Sequence, residues 1–246
     1  MQRIKRLRVF AGPNGSGKST LFDTVKGYFS EMPFINADEI EMLIAKQKII
    51  DLASYNLNLT SSDLKTFLKR RESVSLINKA KEEGHEINFS LRENCIVVES
   101  KKVHSYKAAL IASFIRWALY NHGKGFAFET VMSHKGKLKE LADARKKGFK
   151  IYLYFVCIDD PEVNIERVKD RVKKGGHDVN ADKLKARYIS TLKNLYPAIK
   201  LADKVYLFDN SEKKSELIVE IENGQIKINS NSLPDWFYEY VVPYYI

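Results

Sequence analysis

The chain has 246 residues, a length that fits one α/β core with an insertion better than two equal domains. Its 41 Lys and Arg residues outnumber 31 Asp and Glu residues, giving a formal net charge of +10. This charge favours an anionic partner such as a nucleotide, a sugar phosphate or a nucleic acid, without choosing among them.

The cysteines and the apolar stretches exclude several other classes of protein. Cys95 and Cys157 lie in separate apolar runs and lack the spacing of a metal-binding or redox pair. The apolar stretch KAALIASFIRWALY is too short to span a membrane and carries Arg116. The N-terminal segment has neither the apolar region nor the cleavage site of a signal peptide, so we expect a cytoplasmic protein with no membrane partner.

Short β-rich runs alternate with helical patterns along most of the chain, which is typical of a parallel sheet covered by helices. The predicted strands are Leu7–Phe10, Pro33–Asn36, Gly125–Phe128, Lys150–Ile158 and Lys204–Phe208. The predicted helices are Lys18–Phe29, Asp38 to about Ile50, Ser105–Tyr120, Lys135–Lys147, Pro161–Lys174 and Ala181–Leu195. We therefore expect an α/β fold with a five-stranded parallel sheet flanked by helices, as in P-loop NTPases and kinases.

Two segments fall outside this alternation. The first predicts two short helices, Ser62–Arg70 and Val74–Glu83, and then a strand-turn-strand, which together form an α+β insertion. In the second, Asn223 and Gly224 between two alternating runs predict a C-terminal β-hairpin, and the aromatic segment after it needs burial against the core. The predicted domains are a discontinuous core of residues 1–50 and 103–212, an insertion at 51–102 and a hairpin with its tail at 213–246.

The segment RVFAGPNGSGKSTLF contains the Walker A pattern G-x-x-x-x-G-K-[ST], or P-loop, between a predicted strand and a predicted helix. In such a loop the backbone N–H groups turn onto phosphate oxygens, and the N-terminus of the following helix adds to the attraction. We expect Lys18 to bridge the β- and γ-phosphates and the Ser19 hydroxyl to bind Mg²⁺. The predicted nucleotide-binding residues of this loop are Gly12, Asn14, Gly15, Ser16, Gly17, Lys18, Ser19 and Thr20.

Polar side chains follow two other predicted strands. Asn36 ends the second strand and Asp38 begins the next helix, at the sheet edge where ligands bind, so Asp38 is a candidate general base for an attacking hydroxyl. Asp in a first helical turn also interacts favourably with the helix dipole, which is the alternative. Glu129 and Thr130 end the third strand, where an idle carboxylate would be costly to bury. We predict that Glu129 binds Mg²⁺ or, alternatively, forms a structural ion pair.

A helix-Gly-Gly-helix element rich in Arg follows the fourth strand. Arg167 and Arg171 share one face of its first helix, Gly175–Gly176 end that helix, and the second helix carries Arg187. The pattern indicates a lid whose guanidinium groups close over the transferred phosphate, although a solvated basic helix pair has the same pattern. In the lid interpretation Arg167 and Arg171 are catalytic. The predicted substrate contacts are Asn36, Glu129, Thr130, His177 and Arg187.

Five segments, AGPNGSGKST, NADEI, FAFET, RVKDRVKKGGHDV and LADKVYLFDNS, occur in this order and resemble the zeta-toxin family of P-loop kinases in its short form. The resemblance covers about residues 5–45 and 105–212. Characterised members phosphorylate the 3′-hydroxyl of the amino sugar in UDP-N-acetylglucosamine and are restrained by an antitoxin. The resemblance therefore implies ATP and Mg²⁺ as cofactors and an antitoxin as a partner.

The same resemblance implies roles for individual residues. Lys18 and Ser19 hold ATP and Mg²⁺, Asp38 is the general base, and Arg167 and Arg171 belong to the lid. Asn210, in the DNS sequence after the last predicted strand, lies near the adenine, because the loop after that strand commonly contacts the base in these kinases.

This chain departs from the family pattern at two places. Long zeta toxins have Gly-Thr where this chain has Glu129-Thr130, so their sugar contacts cannot be carried over. The insertion interrupts the region that forms the acceptor side in the family. Its order of helix, helix and hairpin is that of a small winged-helix-like nucleic-acid module or of a surface elaboration that reshapes the acceptor pocket. Its basic residues are Lys65, Lys69, Arg70, Arg71, Lys79, Lys81, Lys101 and Lys102.

From the sequence we expect a Mg²⁺- and ATP-dependent phosphotransferase that acts on a hydroxyl of a small anionic metabolite, such as the nucleotide sugar UDP-N-acetylglucosamine. Two alternatives remain open. The first is a polynucleotide or nucleoside kinase in which the basic insertion holds the nucleic acid. The second is an ATP-switched regulatory module that binds a partner protein.

Overall fold

The computed structural model of this chain describes residues 4–29, 32–100, 103–173 and 180–245. The chain divides into two compact units. The first unit consists of Met1–Met32 and Ala127–Ile246, and the second of Pro33–Phe126. Among the described residues, no helix is both long and apolar enough to cross a membrane.

The strands are β1 (Arg6–Ala11), β2 (Phe34–Ile35), β3 (Ile49–Asp51), β4 (Ser90–Arg92), β5 (Cys95–Val97), β6 (Phe126–Thr130), β7 (Lys150–Cys157), β8 (Lys204–Asp209), β9 (Glu216–Glu222) and β10 (Gln225–Ile228). The helices are α1 (Lys18–Val25), α2 (Ala37–Gln47), α3 (Ser61–Leu68), α4 (Arg71–Glu82), α5 (Ser105–Asn121), α6 (Lys135–Lys146), α7 (Pro161–Lys173), α8 (Ala181–Lys193), α9 (Leu195–Leu201) and α10 (Asp235–Tyr240). Short 3₁₀ helices follow α1, β3 and α10.

In the first unit the strands follow the order β10-β9-β8-β7-β1-β6. Strand β1 pairs in parallel with β7, and β7 pairs in parallel with β8. Strands β9 and β10 are antiparallel and form the predicted C-terminal hairpin, in which Asn223 and Gly224 have φ values of 52° and 80°. The α/β fold with a mostly parallel sheet is confirmed, and the hairpin adds two antiparallel strands to it.

Alternating burial explains why β7 lies inside this sheet. Ile151, Leu153 and Phe155 are fully buried, and α6 and α9 pack against the strand. Burying an apolar side chain of this size contributes about 1.5–3 kcal/mol, so β7 is a main source of the unit's stability. The strand ends at Cys157, and the polar loops that follow β7 and β8 lie at the same edge of the sheet as the loop after β1, because all three strands are parallel.

Two helices of the first unit end earlier than predicted. Helix α1 ends at Val25 and continues as a 3₁₀ helix over Lys26–Phe29. Helix α8 ends before Asn194, and the chain then forms α9, which the sequence analysis did not predict. Pro197 lies in the first turn of α9, where a missing N–H costs no helical hydrogen bond, so it permits a new helix there.

In the second unit α5 is the central helix and packs against α2, α3 and α4. The two predicted helices and the strand-turn-strand of residues 51–102 are present as α3, α4, β4 and β5. The turn between β4 and β5 uses Glu93 and Asn94 at φ values of 47° and 62°. Strand β3, which was not predicted, pairs with β5 to complete a three-stranded antiparallel sheet.

Candidate nucleotide-binding site

The loop between β1 and α1 requires its glycines. Gly12, Gly15 and Gly17 have φ values of 146°, 77° and 96°, which side chains rarely adopt. A Cβ atom on Gly12 would lie 2.0 Å from the carbonyl oxygen of Val156, and one on Gly17 would lie 2.5 Å from Nδ2 of Asn210. The loop is therefore held against the ends of β7 and β8, and at Gly12, beside a backbone oxygen, only glycine fits.

Three predicted site residues meet beside this loop. Lys18 is 5% exposed, and its Nζ donates a 2.8 Å hydrogen bond to the carbonyl oxygen of Pro13. The same Nζ lies 3.8 Å from Oε1 of Glu129, and Ser19 Oγ donates a 2.7 Å hydrogen bond to Oε2 of Glu129. The carboxylate at the end of β6 thus joins the lysine and the serine of the Walker A motif.

Two buried polar atoms of the loop have no hydrogen-bond partner among the described residues. They are Oγ of Ser16, a residue with 0% exposure, and Oδ1 of Asn14. Leaving a buried hydroxyl or amide unpaired costs about 1–3 kcal/mol. A hydroxyl donor that is buried and unpaired in a glycine-rich loop fits a phosphate oxygen, so the loop has the chemistry of a nucleotide site.

The arrangement also fits Mg²⁺. The described residues contain no cluster of three or more His, Cys, Asp or Glu side chains that would bind a metal unaided. Mg²⁺ usually takes only one or two protein oxygens and completes its shell with substrate phosphates and water. The Ser19 hydroxyl and the Glu129 carboxylate, in direct contact with each other, provide such a pair of oxygens.

Two asparagines support the loop from outside. Nδ2 of Asn164 donates a 2.8 Å hydrogen bond to the carbonyl oxygen of Asn14, and Nδ2 of Asn210 donates one of 2.8 Å to that of Ser16. Arg167 donates to the carbonyl oxygen of Asn210 at 3.2 Å. These bonds fix the carbonyl groups of Asn14 and Ser16 from outside the loop, and within it the Ser16 N–H donates to the Pro13 carbonyl oxygen at 3.3 Å. Sequence analysis missed Asn164; its only signal is a polar residue beside the apolar stripe of α7.

The segment after β6 is tied to α8. The Thr130 hydroxyl accepts the Met132 N–H at 3.1 Å, which stabilises a turn in which Met132 has a φ of 58°. Thr191 and Asn194 donate to the carbonyl oxygens of Val131 and Met132 at 2.8 and 2.9 Å. Thr130 therefore stabilises this turn.

The predicted lid residues are only partly described. Arg167 on α7 and Arg187 on α8 are half-buried, whereas Arg171 is exposed near the end of α7. His177 and the Gly175–Gly176 pair lie outside the described residues. Arg167 is positioned beside the P-loop support by its hydrogen bond to the carbonyl oxygen of Asn210.

Asn36 and Asp38 belong to the second unit. Asn36 caps α2, and its Oδ1 accepts the Asp38 N–H at 2.8 Å, while Asp38 is exposed in the first turn. The same Asn-Ala-Asp sequence begins α8, where Asn180 Oδ1 accepts the Asp182 N–H at 2.9 Å. The local structure of Asn36 and Asp38 is therefore that of a helix cap, which is compatible with a further catalytic role for Asp38.

The sequence profile of the Zeta toxin family matches residues 94–232, more than half of the chain. An uncharacterized protein of Haemophilus influenzae is 36% identical over 64 residues, which make up 26% of this chain and 46% of that protein. The match thus spans less than half the length of this relative.

Solved structures resemble the chain over most of its length. A crystal structure of AvrRxo1-ORF1:AvrRxo1-ORF2 with sulphate ions has a TM-score of 0.58 at 12% identity and covers 96% of this chain and 63% of that one. The structure of AvrRxo1-ORF1:-ORF2 with ATP has a TM-score of 0.51 at 15% identity, covering 92% and 60%. This chain therefore spans less than two thirds of those chains.

A structure of the PezAT chromosomal toxin-antitoxin system of Streptococcus pneumoniae has a TM-score of 0.52 at 12% identity and covers 97% of this chain and 79% of that one. At such identities the likeness shows the fold alone. The family profile and the Walker A loop agree with it: the chain belongs to the zeta-toxin family and has its kinase-like P-loop fold.

Proposed function

We propose that this protein is a Mg²⁺- and ATP-dependent kinase that phosphorylates a hydroxyl of a small anionic metabolite, with the nucleotide sugar UDP-N-acetylglucosamine as the first acceptor to test. The observation that carries the proposal is the contact of Glu129 with both Lys18 and Ser19 beside a loop with an unpaired buried hydroxyl. The formal net charge of +10 supports an anionic substrate.

ATP binding requires small changes in this site. Lys18 exchanges the Pro13 carbonyl and Glu129 for phosphate oxygens, and the Ser16 hydroxyl gains the acceptor that it lacks. Ser19 and Glu129 would hold Mg²⁺. When bound, the ion neutralises phosphate charge and orients the γ-phosphate.

The transfer itself needs a base and positive charge. We assign the role of the base to Asp38, which would accept the proton of the attacking hydroxyl. Arg167 and Arg171 would neutralise the negative charge that develops on the transferred phosphoryl group. Asn210 is proposed to lie near the adenine. The acceptor contacts are proposed to come from Asn36, Glu129, Thr130, His177 and Arg187.

The comparisons support ATP and an antitoxin as partners. One of the similar structures is described with ATP, and another belongs to a toxin-antitoxin system. We propose on this basis that the chain binds ATP and that an antitoxin protein restrains it. A cytoplasmic location would suit a kinase that uses cellular ATP.

The proposal is tested by incubating the purified protein with Mg·ATP and a panel of nucleotide sugars, nucleosides, and short RNA or DNA, and measuring product masses. Addition of one phosphate to a small acceptor by the wild type, but not by Lys18→Ala, is the expected result. Phosphorylated RNA or DNA ends would instead indicate the polynucleotide kinase. ADP without any phosphorylated acceptor would indicate the ATP-switched module.

The first unit offers a matched control for the Asp38 variant. Asp38→Ala is expected to abolish transfer and to leave ATP binding intact. Asp182→Ala removes a carboxylate from the same capped Asn-Ala-Asp turn at the start of α8. If Asp38 only stabilised the first turn of α2 through the helix dipole, Asp38→Ala and Asp182→Ala would change activity to the same extent. The assignment of Asp38 as the base would then be wrong.

A further inference from the structure

We infer that the C-terminal helix α10 supports the nucleotide site, and that Trp236 is a positioning residue for ATP binding. This inference rests on the proposed function in one respect, that the P-loop binds ATP. It does not depend on which acceptor is phosphorylated.

The inference starts from Asn210, which connects the P-loop to the end of β8. Its backbone N–H donates to the carbonyl oxygen of Cys157 at 2.8 Å, and its side-chain Nδ2 donates to that of Ser16 at 2.8 Å. Because a Cβ atom on Gly17 would lie only 2.5 Å from that Nδ2, the amide is in close contact with the loop. A shift of Asn210 would therefore move the P-loop.

The residues on either side of Asn210 are fixed by a hydrogen-bonded network. Asp209 accepts the backbone N–H of Ser211 at 3.2 Å and its hydroxyl at 2.9 Å. The Ser211 hydroxyl in turn accepts the backbone N–H of Asp159 at 2.9 Å. The segment 209–211 is thus linked to the loop after β7.

Trp236 connects both acidic residues of this network to the tail. Its indole Nε1 donates to Oδ1 of Asp209 at 3.2 Å, and its backbone N–H donates to Oδ1 of Asp159 at 3.0 Å. The backbone N–H of Asp235 donates to the other oxygen of Asp159 at 3.2 Å. Trp236 is 2% exposed, and its ring lies 5.9 Å from that of Phe155 on β7.

The loss of the indole donor would act on the P-loop through this network. A hydrogen bond to a charged group is stronger than one between neutral groups, and Asp209 would lose one of the three donors that it has among the described residues. The segment 209–211 would relax, and the Asn210 amide would leave the Ser16 carbonyl. The loop would then have to be reordered when the phosphates bind, which weakens ATP binding.

The test uses the two tryptophans as a matched pair. Trp236→Phe keeps an aromatic ring against Phe155 and removes the indole N–H. Trp117→Phe makes the same change in the second unit, where Trp117 packs on Phe67 and Phe114. Titration with a fluorescent ATP analogue is expected to give a Kd about 10-fold higher for Trp236→Phe, because a bond to a charged group is lost, and a change within about twofold for Trp117→Phe.

A double-mutant cycle separates positioning from general stability. Asn210→Ala removes the amide that holds the Ser16 carbonyl. If Trp236 acts through Asn210, the combined variant binds ATP about as weakly as Asn210→Ala alone, because both changes break the same path. Fully additive losses in Kd, or an unchanged Kd for Trp236→Phe, would overturn the inference.

A second variant guards against loss of folding. If Trp236→Phe unfolds, Ser211→Ala removes the hydroxyl between Asp159 and Asp209 from an exposed residue, and the same rise in Kd is expected. If the wild type binds ATP and Ser211→Ala binds it with the same Kd, the inference is overturned and the proposed function is not. Failure of the wild type to bind ATP would overturn the proposed function as well.

Discussion

Ser19 Oγ donates a 2.7 Å hydrogen bond to Oε2 of Glu129, so the hydroxyl and the carboxylate that would share Mg²⁺ are already in contact. Glu129→Gln keeps the shape of the side chain and removes its charge. We expect the Mg²⁺ concentration for half-maximal activity to rise about 10-fold or more, because a carboxylate ligand is lost, and turnover to fall about 100-fold or more. Initial rates over a Mg²⁺ titration at fixed ATP measure both effects.

Glu140→Gln is the matched control for this change. Glu140 pairs with Lys137 at 2.8 Å on α6, so the variant also removes a carboxylate from a lysine pair. Its rate and its Mg²⁺ dependence should equal those of the wild type. If the Mg²⁺ concentration for half-maximal activity were the same in Glu129→Gln as in the wild type, Glu129 would not be a Mg²⁺ ligand.

Gly12→Ala is expected to abolish ATP binding. The new Cβ would lie 2.0 Å from the Val156 carbonyl oxygen, a backbone atom that cannot move aside without disturbing β7. The φ of 146° adds strain, which costs about 1–3 kcal/mol. Urea unfolding should show a lower free energy of unfolding, and titration with the ATP analogue should show no binding.

Gly136→Ala on α6 is the corresponding control, because its added Cβ would meet no atom within 4 Å outside its chain neighbours and the backbone of its own helix. Alanine should raise the free energy of unfolding by up to about 0.5–1 kcal/mol through its higher helix propensity. ATP binding should not change. Equal loss of ATP binding in the two variants would show that the geometry of Gly12 is not specific to the site.

The parts of the site that the sequence predicted are those encoded by neighbouring residues. The P-loop is a contiguous motif, and β7 is recognisable from alternating buried residues such as Ile151 and Leu153. Glu129 was singled out because it ends an apolar run, and it contacts both Ser19 and Lys18, while its role as a Mg²⁺ ligand stays a prediction. Local patterns of this kind fix the elements and the ends of the parallel strands.

The supporting residues could not be predicted in the same way. Asn164 and Trp236 act on residues 150 and 27 positions away, at Asn14 and Asp209, and nothing in their own neighbourhood specifies those partners. Strand β3 has three residues and depends on β5 for its hydrogen bonds, so it has no periodicity of its own. Such contacts follow from the packing of the whole chain.

The Cys157 thiol should be far less reactive than that of Cys95. Cys157 is fully buried, and burial raises the pKa of its thiol well above the ordinary value of 9.0. Only the thiolate reacts with disulfide reagents. With 5,5′-dithiobis(2-nitrobenzoate) at pH 8 we expect one thiol, Cys95, to react in the folded protein and the second to react only after unfolding. Rapid reaction of both thiols in the folded protein would contradict this burial.

The same group should make the protein less stable at high pH. The folded-state pKa of Cys157 is raised, so its contribution is fully present below pH 9.0 and is lost above it, because only the unfolded chain releases the proton. Burial and the adjacent thiol also raise the pKa of Tyr188. The free energy of unfolding should fall less between pH 8 and about pH 10 in Cys157→Ala than in Cys95→Ala, as linkage requires.

The second unit has a helix cap whose contribution should depend on pH in the opposite sense. At the start of α3, Asp63 Oδ2 accepts the backbone N–H of Thr60 at 2.7 Å and its hydroxyl at 2.8 Å. These two bonds hold the pKa of Asp63 below its ordinary value of 3.8. The stabilisation is present above pH 3.8 and is lost as the pH falls through the lower folded-state pKa, where the carboxylate gains a proton.

Asp63→Ala should therefore lower the free energy of unfolding by about 1 kcal/mol at pH 7, the usual contribution of such a cap. The difference from the wild type should shrink when both proteins are unfolded at a pH below the folded-state pKa, because the wild type has then lost the charged acceptor as well. Ser62→Ala, one residue earlier and exposed, is the control and should be neutral at both pH values. A difference that persists unchanged at low pH would mean that Asp63 stabilises α3 by packing and not through the hydrogen bonds of its carboxylate.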